Sequence, residues 1–205
     1  MRLTPNTITL LGLPFGGLAA FFLYEGAFLP AILFILLLSG CDILDGYIAK
    51  TKQLATPFGA FLDSTVDRVT ELLLFAGILF FYLAQGDMQT AAVAYGVMGG
   101  SFLVSYTRAR AENLIPNCRV GLWERPERLG LLLIGLVSGY LQTALWILLF
   151  GTTLTIFHRI FYTRRVLSDP NFRSFQNGLF RDYPRNSWSY RLYVLVVILL
   201  TLLLK

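Results

Sequence analysis

The sequence predicts an all-α, polytopic integral membrane protein, and three observations carry that prediction. Hydrophobic residues make up 56% of the 205 residues and charged residues only 14%, whereas a soluble globular chain carries about 25% charged residues. The mean hydropathy is +0.63. The apolar residues also come in runs of about 20, the length that an α-helix needs to cross a bilayer. This composition excludes a disordered chain, a collagen-like chain and a small secreted domain held together by disulfides.

Six apolar segments are predicted to form transmembrane helices, separated by short stretches that carry turn residues and charges. We expect helices at 7–24, 27–49, 58–83, 90–112, 126–140 and 142–165. Asn6 or Thr7 is the expected N-cap of the first helix. The polar stretch at 167–187 is predicted to be a loop, because prolines interrupt it. A last apolar run within 188–205 predicts a seventh helix, which either spans the bilayer or lies in its interface.

The distribution of positive charge predicts the orientation. The formal net charge is +5. Lys and Arg concentrate at the N-terminus, after the second helix, after the fourth and after the sixth, and the loops after the other three helices carry none. The positive-inside rule then puts the N-terminus and these basic segments on the cytoplasmic side of the cytoplasmic membrane. Because topology accounts for the basic surplus, no nucleic-acid partner is predicted. No cleavable signal peptide is expected, since no small-residue cleavage site follows the first apolar run.

Four aspartates lie where the second and third helices meet the cytoplasmic side. Asp42 and Asp45 are three residues apart, and Asp63 and Asp67 are four apart, so each pair shares one face of its helix. Acidic residues within membrane segments are costly and are candidates for function by default. Because the linker between the two helices is short, we expect the four carboxylates to converge.

Converging carboxylates in a low dielectric repel each other and call for a cation. Hard oxygen ligands suit Mg²⁺ or Mn²⁺, and four of them suffice for a two-metal site that clamps both oxygens of a phosphoryl transfer. Gly46 and Gly59 remove side chains beside the acids, so a bulky ligand could approach. An ion or proton transporter also uses buried aspartates, but its acids would lie near the bilayer midplane. A non-enzymatic interaction protein would leave the aligned acids without a purpose.

The complete pattern reads Asp-x2-Asp-Gly-x2-Ala-Lys-x8-Gly-x3-Asp-x3-Asp and runs from Asp42 to Asp67. It resembles the signature of the CDP-alcohol phosphotransferase family, in which Arg usually stands at the position of Lys50. The resemblance covers 1–166 and implies a six-helix domain, usually homodimeric. It also implies an enzyme that transfers the phosphatidyl group of a CDP-linked lipid, such as CDP-diacylglycerol, to an alcohol and releases CMP.

The resemblance implies roles for individual residues. Asp42, Asp45 and Asp63 would bind two Mg²⁺ or Mn²⁺ ions, and Asp67 would complete that site and act as general base on the acceptor hydroxyl. The residues expected to bind the CDP-linked lipid are Asp42, Gly46, Ala49, Lys50 and Gly59.

Arginines near the ends of the later helices predict the acceptor. Arginine is well suited to bidentate phosphate recognition, so an acceptor that is itself a phosphate ester is favoured. The runs Arg-Ala-Arg-Ala-Glu at 108–112 and Glu-Arg-Pro-Glu-Arg at 124–128 are similar to the prokaryotic phosphatidylinositol-phosphate and archaetidylinositol-phosphate synthase branch of the family. That resemblance implies that the acceptor phosphate is held by Arg108, Arg110, Arg128 and Arg159.

Two alternatives remain open for these arginines. Glycerol-3-phosphate also carries a phosphate, so a phosphatidylglycerophosphate synthase is the alternative within the family. Membrane topology, together with salt bridges to Glu112, Glu124 and Glu127, explains the same arginines without any ligand.

Overall fold

The computed structural model describes residues 4–169, and all regular secondary structure within them is α-helical. The helices are α1 (Pro5–Tyr24), α2 (Phe28–Thr51), α3 (Pro57–Ala84), α4 (Met88–Glu112), α5 (Arg125–Ser138) and α6 (Leu141–Ser168). The all-α prediction is confirmed, and each predicted helix is present with small shifts at its ends.

The largest shift is at the end of α6, where the prediction of a loop from 167 is wrong. The helix continues through Ser168, whose hydroxyl donates to the carbonyl of Arg164 at 2.9 Å, and the amide of Asp169 still bonds to the carbonyl of Arg165. The predicted end at 165 was too early, because α6 continues through the apolar residues Val166 and Leu167 to Ser168. The rest of the predicted loop and the seventh apolar run lie outside the described residues.

Threonine followed by proline begins both α1 and α3. The Thr4 hydroxyl accepts a hydrogen bond from the amide of Thr7 at 3.4 Å, and the Thr56 hydroxyl accepts one from the amide of Gly59 at 3.0 Å. The prediction of Asn6 or Thr7 as N-cap is wrong, because Pro5 occupies the first helical position. Proline suits that position, since its missing N–H would have no partner there.

α1, α2 and α3 share one kind of C-terminus. In each, a residue in the left-handed region ends the helix, and the next amide bonds to the carbonyl five residues earlier, at 2.9 to 3.0 Å. The left-handed residue is Gly26 (φ +70°) after α1, Gln53 (φ +54°) after α2 and Gly86 (φ +76°) after α3. Glycine adopts this conformation at little cost, whereas a side chain is strained there. The turn between α2 and α3 is thus the one of these three that lacks glycine.

The described chain divides between Met98 and Gly99 into two compact units. In the first unit, α1 packs on both α2 and α3. Small residues allow the close approach that packing between membrane helices requires. A Cβ atom on Gly16 would lie 2.8 Å from the side chain of Thr70, and one on Gly77 would overlap the backbone of Ala20.

We expect Gly77→Ala to lower the free energy of unfolding by about 1–3 kcal/mol, the usual cost of an added group in a packed core. The neighbour is backbone rather than a flexible side chain, so α1 and α3 would have to separate. Gly17→Ala is the matched control on α1, because a Cβ there meets nothing within 4 Å. Thermal unfolding of both variants in detergent measures the difference, and equal stability of the two would contradict the packing argument.

In the second unit, α5 packs on α6. A separate cluster joins the end of α4 to the segment that follows it, and it is built from Ala111, Ile115, Cys118 and Val120, with Tyr162 and Val166 of α6 packed against it. Burial raises the pKa of the Cys118 thiol, so this thiol is protonated at neutral pH and serves as a packing group. The segment 113–124 is therefore anchored to α4 and α6.

The surface of the helices is that of a multi-pass membrane protein. Large apolar side chains such as Leu29 (80% exposed), Ile43 (72%) and Phe150 (68%) face outward, which lipid accommodates and water does not. Among the described residues, length and hydropathy alone select α1, α2 and α6 as candidate spans. α5 has 14 residues, and charged residues occupy the first half of α3. That α3, α4 and α5 also cross the membrane, which would make six spans, therefore stays a prediction.

Candidate active site

Three of the four predicted aspartates meet at the junction of α2 and α3. One carboxylate oxygen from each of Asp42, Asp63 and Asp67 lies within 4.8 Å of the other two, and all three residues are half-buried. Asp42 comes from the second half of α2 and the other two from the first half of α3, so the turn between these helices brings them together.

The fourth aspartate, Asp45, has a different environment. It is buried, with 5% of its surface exposed, and its Oδ2 accepts a hydrogen bond from the Thr9 hydroxyl of α1 at 2.5 Å. Asp45 is not one of the three residues whose oxygens cluster. The acidic site therefore has three half-buried members and one buried neighbour that is tied to α1.

The other signature residues lie along the same stretch of α2 and at the start of α3. A Cβ on Gly46 would meet nothing within 4 Å, whereas one on Gly59 would lie 3.1 Å from both Asn6 Oδ1 and Thr56 Oγ1. Open space beside the acids is thus found at Gly46, and the close approach at Gly59 is to the chain itself. Ala49 is half-buried and Lys50 is exposed in the last turn of α2.

The donor set fits a divalent cation. Carboxylate oxygens are the ligands that Mg²⁺ and Mn²⁺ prefer, and three of them already converge. Arg68 is the basic neighbour: its Nη1 forms a salt bridge with Asp67 Oδ2 at 3.8 Å and donates to the carbonyl of Ser64 at 2.6 Å. One guanidinium group cannot balance the charge of three converging carboxylates, so the cluster still favours a divalent cation.

Arg108 forms salt bridges at the end of α4. Its Nε donates to Glu112 Oε1 at 3.0 Å and its Nη1 donates to Glu124 Oε1 at 2.9 Å. The Arg108 side chain is 30% exposed. Two of the salt bridges that the sequence offered as the ligand-free explanation are therefore present.

Arg128 and Arg159 are almost fully buried, each with 1% of its surface exposed. Arg128 Nη1 donates to the carbonyl of Trp123 at 2.7 Å. Arg159 Nε donates to the carbonyl of Val120 at 2.9 Å, and its Nη1 donates to the carbonyl of Val104. Both guanidinium groups thus bind backbone around the segment that links α4 to α5.

Arg110 and Arg159 line a common cavity of about 230 Å³ between α4 and α6. Arg164 lines it as well, a residue that the sequence interpretation did not single out because it stands in a basic run that topology explains. Tyr106, Thr107 and Thr163 also line it, but its exposed wall is mostly apolar. Two of the four predicted arginines therefore line one cavity, and the cavity alone does not identify a polar ligand.

The fold and the acidic cluster are those of a membrane protein with a candidate divalent-metal site. A family model described as CDP-alcohol phosphatidyltransferase matches residues 2–159. The chain is 34% identical to the phosphatidylinositol phosphate synthase of Streptomyces avermitilis, over 79% of this chain and 72% of the relative. It is 28% identical to the archaetidylinositol phosphate synthase of Pyrococcus horikoshii, over 82% of this chain and 87% of the relative.

Solved structures of one such synthase resemble the fold of this chain. The Mycobacterium tuberculosis phosphatidylinositol phosphate synthase PgsA1 with CDP-DAG bound superposes with a TM-score of 0.73 at 28% identity, covering 78% of this chain and 86% of that one. The same enzyme with manganese and citrate also gives 0.73 at 28% identity, covering 79% and 83%.

The chain belongs to the CDP-alcohol phosphatidyltransferase family. It is a metal-dependent transferase of phospholipid biosynthesis whose substrates are a CDP-linked lipid and an alcohol. The resemblance seen in the aspartate pattern is thereby confirmed, and an ion or proton transporter is not favoured.

Proposed function

We propose that the protein transfers the phosphatidyl group of CDP-diacylglycerol, or of a similar CDP-linked lipid, to inositol phosphate and releases CMP. The convergence of the Asp42, Asp63 and Asp67 carboxylates within 4.8 Å carries the chemistry of this proposal. The relatives named above are, by their names, synthases of phosphatidylinositol phosphate and archaetidylinositol phosphate, which supports the choice of acceptor.

The proposed metal site holds two Mg²⁺ or Mn²⁺ ions between α2 and α3. Its ligands are Asp42, Asp45, Asp63 and Asp67. The ions, when bound, neutralise charge on the diphosphate and on the oxygens that gain or lose the phosphorus. Positioning and neutralisation of this kind account for most of the catalysis in phosphoryl transfer.

Asp67 is the proposed general base. The acceptor hydroxyl gives its proton to the Asp67 carboxylate as its oxygen forms a bond to the phosphorus that carries the lipid. The bond between that phosphorus and the CMP oxygen breaks, and CMP leaves. Asp67 lies at the third turn of α3 and is half-buried, so it is held by a rigid element and yet stays accessible to an acceptor.

The CDP-linked lipid is proposed to lie along α2 and the start of α3. The open space at Gly46 supports this, since a diphosphate needs room to approach the helix backbone. Lys50, exposed in the last turn of α2, supplies a positive charge. The proposed contacts are Asp42, Gly46, Ala49, Lys50 and Gly59.

Arginines are proposed to hold the phosphate of the acceptor. A guanidinium group carries five N–H donors, so the two carbonyl bonds of Arg159 leave donors for a phosphate. Arg108 is only partly buried between two glutamates, and a phosphate can replace a carboxylate there with similar geometry. The proposed set is Arg108, Arg110, Arg128 and Arg159.

The proposed setting is the cytoplasmic membrane, with the N-terminus and the active site facing the cytoplasm, where CMP and sugar phosphates are soluble. The alternation of loops that carry Lys or Arg with loops that carry neither supports this orientation. A homodimer is proposed on the family resemblance.

The test is CMP release by the purified full-length protein in detergent, with CDP-diacylglycerol and Mg²⁺ or Mn²⁺. Inositol-1-phosphate, glycerol-3-phosphate, free inositol and no acceptor are compared. We expect release with inositol-1-phosphate only. Release with glycerol-3-phosphate instead would keep the transfer chemistry and overturn the acceptor, whereas no release with any acceptor or metal would overturn the function.

A further inference from the structure

Thr9, on the second turn of α1, departs from the usual behaviour of a threonine in a helix. A helical threonine commonly donates to the carbonyl four residues earlier, as Thr152 and Thr155 of α6 do at 2.8 and 2.9 Å. Thr9 has such a carbonyl, that of Pro5, at 3.1 Å. Its hydroxyl also reaches Asp45 Oδ2 of α2, at 2.5 Å. One hydroxyl carries one hydrogen, and the shorter contact is the one to the carboxylate.

Both partners of this bond are buried, Thr9 with 4% and Asp45 with 5% of its surface exposed. A buried carboxylate is costly unless hydrogen bonds satisfy it. A carboxylate has two oxygens, and a bond to Oδ2 fixes the rotation of the group and therefore the position of Oδ1. From these contacts we infer that Thr9 is a positioning residue, which orients Asp45 for the divalent metal through its hydroxyl.

The surroundings of Thr9 support a role at this site. One turn earlier on α1, the side chain of Asn6 lies where a Cβ of Gly59 would be 3.1 Å from its Oδ1. The first two turns of α1 thus contact both halves of the aspartate pattern, α3 through Asn6 and α2 through Thr9. Hydrogen-bond partners of metal ligands typically change metal affinity or activity by 10- to 100-fold when they are removed.

The inference rests on the proposed function, in which Asp45 is a metal ligand. Its test measures Mn²⁺ binding to the purified full-length protein, from the electron paramagnetic resonance signal of free Mn²⁺. Thr9→Val keeps the shape of the side chain and removes the hydroxyl, whereas Thr9→Ser keeps the hydroxyl. Thr152→Val makes the same change at a buried helical threonine of the second unit. We expect Thr9→Val to weaken Mn²⁺ binding about 10-fold or more, while Thr9→Ser and Thr152→Val stay close to the unchanged protein.

Two further variants make every outcome informative. In an Asp45→Ala background, Thr9→Val should have no additional effect on Mn²⁺ binding, because the side chain that accepts the hydrogen bond is gone. Asp42→Asn tests the proposed metal site itself. Unchanged Mn²⁺ binding in Thr9→Val, equal weakening in Thr9→Val and Thr9→Ser, or an undiminished effect in the Asp45→Ala background would overturn the role of Thr9 alone. Absence of Mn²⁺ binding in the unchanged protein, or full binding in Asp42→Asn, would overturn the metal site and this inference with it.

A purely structural role predicts a different result. Loss of packing between α1 and α2 would lower the thermal unfolding temperature without changing Mn²⁺ affinity at a temperature where the protein is folded. Unfolding is therefore followed by circular dichroism for each variant. If Thr9→Val does not fold, the comparison of Thr9→Ser with Thr9→Ala at the same position decides, with the same expected difference in Mn²⁺ affinity.

Discussion

Asp67→Asn is expected to lower the rate of CMP release by about 10²- to 10⁴-fold, the usual contribution of a general base. Asparagine has the shape of aspartate, but it cannot take the proton of the acceptor hydroxyl. Its amide is also a weaker ligand for a divalent cation than a carboxylate, so the loss is expected to fall at the upper end of that range. The rate is measured with saturating CDP-diacylglycerol and acceptor in detergent.

The matched control is Asp87→Asn. Asp87 Oδ1 accepts a hydrogen bond from the amide of Thr90 at 3.0 Å at the start of α4, and asparagine caps a helix about as well as aspartate does. Stability and CMP release should both be unchanged in this variant. CMP release by Asp67→Asn within a few-fold of the unchanged protein would exclude Asp67 as the base.

Arg159→Lys is expected to lower both the stability of the second unit and the affinity for the acceptor. The guanidinium group of Arg159 bridges the carbonyls of Val104 and Val120 from a site that is 1% exposed. An ammonium group is a single point and cannot reproduce that fork, and a buried carbonyl left without a partner costs about 1–3 kcal/mol. We therefore expect a lower thermal unfolding temperature and a KM for inositol phosphate raised about 10-fold or more, one charge-assisted hydrogen bond being worth about 1.5–3 kcal/mol.

The control for this prediction is Arg165→Lys, further along the same helix, where the side chain is exposed. Exposed charges contribute about 0–1 kcal/mol, so that variant should behave like the unchanged protein. The KM for CDP-diacylglycerol separates the two roles of Arg159. If that KM rises as much as the KM for the acceptor, Arg159 supports the fold of the site but does not bind the acceptor phosphate.

The sequence predicts the helices of this protein well because apolar runs and charged breaks mark them directly. It predicts their ends less well. The N-cap of α1 is Thr4, because Pro5 occupies the first helical position, and α6 continues to Ser168 instead of ending at 165. The first effect is not visible in hydrophobicity, because it depends on which backbone groups find a partner. The second was missed although Val166 and Leu167 are apolar.

Residue spacing predicted that Asp42, Asp63 and Asp67 would cluster, but it did not predict that Asp45 would lie apart from them. Four residues on a helix turn the side chain by about 400°, close to one full turn, so Asp63 and Asp67 project together. Three residues give about 300°, so Asp45 lies on the same side of α2 as Asp42 but is offset from it by about 60° around the helix axis. Spacing alone cannot say what lies in that direction, and the structure places the Thr9 hydroxyl of α1 there.

The contacts of the arginines were harder to predict from the sequence than those of the aspartates. Composition marks them as phosphate ligands or topology signals, but it does not reveal which carbonyls the segment 113–124 exposes. Arg128 and Arg159 bind those carbonyls, which only the folded backbone makes available. A basic residue near a membrane helix end can thus stabilise the backbone, a role that composition does not reveal.

The turn between α2 and α3 sets the position of the α3 aspartates relative to Asp42. It is closed by the bond from the amide of Leu54 to the carbonyl of Ala49 at 2.9 Å and by the Thr56 cap of α3, so its length is fixed at both ends. One extra residue in the helical part of this spacer would swing the α3 aspartates by about 100° around the helix axis, away from Asp42. The length of the eight-residue spacer between Lys50 and Gly59 therefore determines where the aspartates of α3 lie relative to Asp42.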